Sequence, residues 1–103
     1  MTIDDLRRRI DDLDEELVAL LSARAECALA IGRLKHALGL AVYQPDREQQ
    51  VLAHVRGVNK GPLDGQAMTR LFERIIDEAR RLEREALEQA THGPEGDRTR
   101  ADA

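Results

Sequence analysis

The chain has 103 residues, 35% of them charged and 2% aromatic, with a formal net charge of −4. A single domain of this size buries only a modest share of its own surface when it folds alone, and with Tyr43 and Phe72 as its only rings the core has to be aliphatic. The acidic balance argues against a nucleic-acid partner, which asks for a basic surplus to neutralise phosphates. Cys27 is the only cysteine, so no internal disulfide forms, and the cytoplasm is the expected compartment. The opening Met1-Thr2-Ile3-Asp4-Asp5 leads straight into charged amphipathic sequence, so neither a signal peptide nor a membrane contact is expected.

The pattern predicts an all-α fold. Apolar or small residues recur at Ile3, Leu6, Ile10, Leu13, Leu17, Leu20, Cys27, Ile31, Leu34 and Leu38 in steps of three and four, which is a heptad seam. It predicts one helix from about residue 3 to about residue 38, roughly 50 Å long at 1.5 Å per residue. A compact chain of about 100 residues has a radius of gyration of only about 13 Å, so such a rod outruns its own core, and pairing with a second copy along the rod is expected. After a connection at 39–44, Pro45 with Asp46 and Glu48 starts a shorter helix, whose apolar face is Val51, Leu52 and Val55. Asn59, Gly61 and Pro62 break it. Asp64 can cap a third helix with the stripe Met68, Leu71, Phe72, Ile75, Ile76, Ala79, Leu82 and Ala86, ending near Gln89. Residues 1–90 form the expected domain, and 91–103 lack periodicity and are expected to be a disordered tail.

The informative residues are charges placed where the pattern expects apolar side chains, because buried ions are costly and persist where pairing or function compensates. Arg24 falls in the seam itself, seven residues after Leu17 and seven before Ile31, and Lys35 lies eleven residues further on nearly the same face. Arg7, beside Leu6, lies seventeen residues before Arg24, or about 25 Å along a helix axis. One chain cannot close both around a small ligand, whereas an antiparallel partner could bring its own Arg7 to this Arg24. Glu83 interrupts the third stripe four residues after Ala79, and Arg47 and Glu48 open the second helix beside its apolar face. Each has a bland explanation. Arg24 can set coiled-coil register or snorkel to solvent, Lys35, Arg7 and Glu48 can be solvated helix charges, and Glu83 can pair with Arg80 or Arg84. His36, His54 and His92 lack metal-ligand spacing, Cys27 has no evident activating partner, and no Gly-rich phosphate loop is present. Electrostatic chemistry is the leading option.

Residues 6–35, LRRRIDDLDEELVALLSARAECALAIGRLK, then 42–52, VYQPDREQQVL, and 61–83, GPLDGQAMTRLFERIIDEARRLE, resemble in order and spacing the three helices of the all-helical chorismate mutases. The match covers about residues 3–87. The resemblance implies three helices per chain, long, short and long, in an intertwined homodimeric bundle that rearranges chorismate to prephenate without cofactor or metal. It implies that Arg7 of the other subunit and Arg24 hold the substrate's two carboxylates, with Arg47 reinforcing them. Lys35 and Glu83 would hydrogen-bond the ether oxygen. Glu48 would take the ring hydroxyl with help from backbone around Gln44, and Ile31 would form an apolar wall. The family often has Gln at the position of Glu83, Asp at that of Gln44, and a hydroxyl residue at that of Ala79, so Ala79 joins the site without a side-chain contact to a carboxylate.

The implied reaction is a unimolecular pericyclic shift, so conformation and charge are what a protein can contribute. Arg forks select the compact conformer, and Lys35 meets the charge that grows on the ether oxygen. An ionised Glu83 would oppose that charge, so Glu83 is expected to act protonated, its pKa raised by burial and partly lowered by Lys35. Three other readings fit the same residues. An isochorismate-pyruvate lyase or a 4-amino-4-deoxychorismate mutase would keep the fold and change the substrate. A non-catalytic helical dimer regulating a shikimate-pathway enzyme would keep the fold and drop the chemistry. Some small mutases of the family are activated by the enzyme that opens that pathway, and no residue here identifies such a partner.

Overall fold

The structure, a computed structural model, describes the backbone of residues 1–41 and 44–102 and the side chains of 1–41 and 44–89. Three helices follow one another, α1 over Ile3–Leu38, α2 over Pro45–Val58 and α3 over Gly65–Asp102, as the hydrophobic periods predict. Their ends are set by local chemistry. Thr2 caps α1, its hydroxyl accepting from the Asp5 N–H at 3.0 Å while Asp5 Oδ2 accepts from the Thr2 N–H at 3.0 Å, which satisfies two donors the helix cannot. Gly39 ends α1 with φ 71°, a left-handed turn that carries no steric penalty for glycine. Pro45 opens α2 where a missing N–H is no loss. Asp64 caps α3 through Oδ1, which accepts from the Ala67 N–H at 2.8 Å.

The third helix departs from its expected length. Its backbone runs to Asp102 rather than stopping near Gln89. The backbone stays helical through Gly93 and Pro94, although Pro94 supplies no N–H to the ladder, and nothing in the described residues explains why these breakers do not end it. The expected tail, 91–103, falls on this stretch, and its side chains lie outside the described residues.

The helices make an open frame rather than a ball. α3 packs on both α1 and α2, and among the described residues α1 and α2 do not pack directly on each other. The Cα radius of gyration is 18.2 Å and the longest dimension 57 Å, well beyond the roughly 13 Å radius of a compact domain of this length. Leu52, 6% exposed, is the only buried apolar residue among those described, while seam residues such as Leu17 and Leu20 are 54% and 67% exposed. No helix is long and apolar enough to cross a membrane among the described residues.

Candidate active site

α3 brings the C-terminal half of α1 and the start of α2 to its own middle, and the three enclose a cavity of about 360 Å³, within the size range of small-molecule sites. Arg24, Ile31 and Lys35 face it from α1, Arg47 and Glu48 from the first turn of α2, and Ala79 and Glu83 from α3, with Gln44 at the α2 entrance. Every site residue singled out in the sequence therefore lines one space, with the exception of Arg7, which does not reach it in its own chain. That exception follows from the distance along α1. Ile31 is half exposed although it lines the cavity, so one side of the space is left open along α1.

Four cations, Arg24, Lys35, Arg47 and Arg80, and two carboxylates, Glu48 and Glu83, share this space. Arg80 Nη2 donates to Glu48 Oε1 at 2.5 Å and also reaches Asp77 Oδ1 at 3.3 Å. The Arg80–Glu48 pair is internally neutral, so the other formal charges of the lining are three cations and Glu83. The cavity is thus a net cationic site in a chain whose formal net charge is −4.

Glu83 is the unusual group. Its Oε2 is buried with no hydrogen-bond partner among the described residues, and burial raises its pKa above the ordinary carboxylate value, with Lys35 and then Arg80 pulling it partly back. The direction and the leading cause are those expected from its place on the apolar stripe. Arg80 Nη2 is directed to Glu48 and Asp77, and its influence on Glu83 is the field of a nearby charge. Glu83 comes close to α1 because of Gly32. A Cβ built there would stand 3.3 Å from Glu83 Cγ and 3.4 Å from its Oε2, so the absence of a side chain lets the carboxyl settle against the helix.

Sequence reasoning missed Arg80 and most of the apolar wall. Cys27, Ala28, Val51 and Ile76 line the cavity beside Ile31. The wall was readable in principle, because these residues stand on or next to the stripes already identified. Arg80 follows Ile76 by four residues and precedes Glu83 by three, so it shares their face, but its link to Glu48 joins positions 32 apart in sequence.

The family model for chorismate mutase type II matches residues 6–84. The chain belongs to the type II chorismate mutase family. The bifunctional chorismate mutase/prephenate dehydratase of Pseudomonas aeruginosa is 46% identical over 103 aligned residues, covering 95% of this chain and 28% of that protein. The chain thus spans little more than a quarter of that relative's length. A chorismate mutase structure from Thermus thermophilus superimposes with a TM-score of 0.78 at 36% identity, over 80% of this chain and 93% of that one. The Helicobacter pylori chorismate mutase in complex with prephenate gives a TM-score of 0.78 at 32% identity, over 84% and 94% of the two chains. The all-α, three-helix architecture expected from the sequence is the architecture of this family.

Proposed function

We propose that the chain converts chorismate to prephenate at this cavity, as a cytoplasmic homodimer in which each site is completed by the other subunit. The observation that carries the reading is the cluster itself. Cations from all three helices, a half-buried carboxyl with raised pKa and an apolar wall stand around one space of small-molecule size, in a chain of this family.

Arg24 and the partner subunit's Arg7 hold the two substrate carboxylates, and Arg47 adds charge beside them. The clamp favours the compact conformer in which the carbons to be joined meet, an orientation effect. As the ether C–O bond breaks and the new C–C bond forms within one molecule, charge accumulates on the ether oxygen. Lys35 and a protonated Glu83 donate to it. Losing one such fixed donor costs about 3 to 4 kcal/mol of barrier. Glu48 accepts from the ring hydroxyl, and the backbone at Gln44 supports it. Ala79 leaves room along α3, and Ile31 packs on the ring. We assign this domain to residues 1–90 and no site role to 91–103.

The dimer has its own support. The chain exposes 8348 Å², whereas a compact monomer of 11.6 kDa exposes about 5,800 Å². The excess is of the order a permanent subunit interface covers, and it includes the exposed seam Ile3, Leu6, Ile10, Leu13 and Leu17. An antiparallel second copy laid on that seam brings Arg7 to the open side of the cavity.

The test is chorismate consumption by the purified chain at pH 5 and pH 7.5, with prephenate identified as product and Arg24→Ala as control. Prephenate formation that Arg24→Ala abolishes is the expected result, with the faster rate at pH 5. No turnover, or pyruvate released from isochorismate instead, overturns the reading.

A further inference from the structure

We propose that Arg80 is a positioning residue that, through its hold on Glu48, makes the site select a neutral ring hydroxyl over a cationic ring amine. This rests on the assignment of Glu48 to the ring hydroxyl made above. Of the α3 residues that line the cavity, Ile76 and Ala79 offer no polar side-chain atom, so Arg80 and Glu83 carry the polar character of that helix. Arg80 reaches across to α2 and donates from Nη2 to Glu48 Oε1 at 2.5 Å, with the two side chains only 28% and 24% exposed. The contact of the same nitrogen with Asp77 Oδ1 on its own helix is longer at 3.3 Å and ends on a side chain 62% exposed.

The pairing has two consequences. A glutamate in the first turn of a helix has three rotatable bonds, and a short charge-assisted bond to one oxygen fixes where the rest of the carboxylate points. That orientation is in place before a ligand arrives. The guanidinium also cancels the carboxylate's charge. Without Arg80, Glu48 would be an anionic corner facing the cavity and would welcome an ammonium group. With Arg80 beside it, and with Arg24, Lys35 and Arg47 lining the same space, an ammonium there meets only net positive surroundings, whereas a hydroxyl still finds an acceptor. Specificity of this kind comes from repulsion of the wrong ligand as much as from attraction of the right one.

The experiment compares kcat and KM for chorismate and for the analogue carrying an amine in place of the ring hydroxyl, using the purified full chain. Arg80→Leu and Arg80→Gln should raise KM for chorismate more than they lower kcat. Both should shift the amine-to-hydroxyl ratio of kcat/KM about tenfold toward the amine. Arg80→Lys keeps the charge and should keep the ratio near that of the unmodified chain, and Asp77→Asn should leave both substrates unaffected. In a Glu48→Gln background, Arg80→Gln should move the ratio less, because the orienting of the carboxylate is gone and only the direct repulsion between guanidinium and amine is left to lose. Helical circular dichroism identifies a variant that does not fold, and Arg80→Gln, which keeps most of the side chain's length, decides if Arg80→Leu is lost. Equal losses on both substrates, or a ratio that moves just as far in the Glu48→Gln background, would overturn the proposal while leaving the mutase reading intact. Failure of the unmodified chain to convert chorismate would overturn the mutase reading and this one with it.

Discussion

The two halves of α1 carry the same apolar period and live in different surroundings. From Arg24 onward the helix has half-buried positions, and among them Arg24, Ala28 and Lys35 line the cavity. Before Arg24, every residue is exposed, including the whole row from Ile3 to Leu21. Identical patterning therefore does two jobs. The second half turns Arg24, Cys27, Ile31 and Lys35 toward the cavity while Leu34 and Leu38 stay exposed, and the first half offers its whole stripe outward. Periodicity reports that a face is to be buried but not by whom.

The sharpest way to break this contrast is to put a charge on the outward half. In a monomer, Leu17→Glu changes a residue already 54% exposed and should alter stability by no more than about 0.5 kcal/mol. In the proposed dimer it leaves an unpaired charge buried, which costs about 3 to 5 kcal/mol per site. We expect the latter. Sedimentation equilibrium should show a monomer at concentrations where the unmodified chain is dimeric, and chorismate turnover should vanish because the partner subunit's Arg7 is gone. An unchanged mass with full activity would refute the shared site. On the inward half, Lys35→Ala should leave the oligomer intact and lower kcat by about two to three orders of magnitude, the effect of losing about 3 to 4 kcal/mol from one fixed donor. Steady-state kinetics separates this from a folding defect when the melting temperature is retained.

Much of this was legible in the sequence, and the parts that were not share a cause. The ends of α1 and α2 follow from local rules, with Gly39 and Pro45 marking them. Arg24, Lys35 and Glu83 stood out because a charge on an apolar stripe contradicts its neighbours, and the structure gathers all three around one cavity. Arg80 was readable only as a border residue of α3, since its meaning depends on Glu48 on another helix. Gly32 was one letter in a helical run until Glu83 was found against it. The backbone of α3 runs on to Asp102, past the breakers Gly93 and Pro94 near which the pattern ends the helix. Local chemistry writes element ends into the sequence, and contacts between elements appear there only as exceptions to a pattern.

Smaller effects sharpen the inward half further. Burial raises the pKa of Glu83, so the folded chain binds a proton there more readily than the unfolded chain does. Where the native state binds more protons, stability falls as pH rises. The contribution is therefore fully present below the unfolded pKa and is lost as pH rises through the raised folded value. Because the proposed mechanism donates the same proton to the ether oxygen, activity should fall with rising pH as well. Glu83→Gln replaces the acid by a donor that does not titrate, so its rate should stay flat over the pH range in which the unmodified chain declines. Parallel profiles for the two would remove Glu83 from the role of acid.

Gly32→Ala probes the support beneath that acid, and its two effects oppose each other. Alanine inside a helix gains about 0.5 to 1 kcal/mol over glycine. The added methyl would sit 3.3 Å from Glu83 Cγ, a crowding relieved by a shift of a few tenths of an ångström in a side chain that can turn. Overpacking costs about 1 to 3 kcal/mol where nothing can move, so with a mobile neighbour the melting temperature should change by only a few degrees. The carboxyl, however, is the group that moves. Pushed off α1 it regains contact with water, its pKa returns toward the ordinary value, and the decline in rate with pH should begin at lower pH than in the unmodified chain. A stability change without any displacement of the pH profile would mean that Gly32 serves helix packing alone and that the burial of Glu83 is set elsewhere.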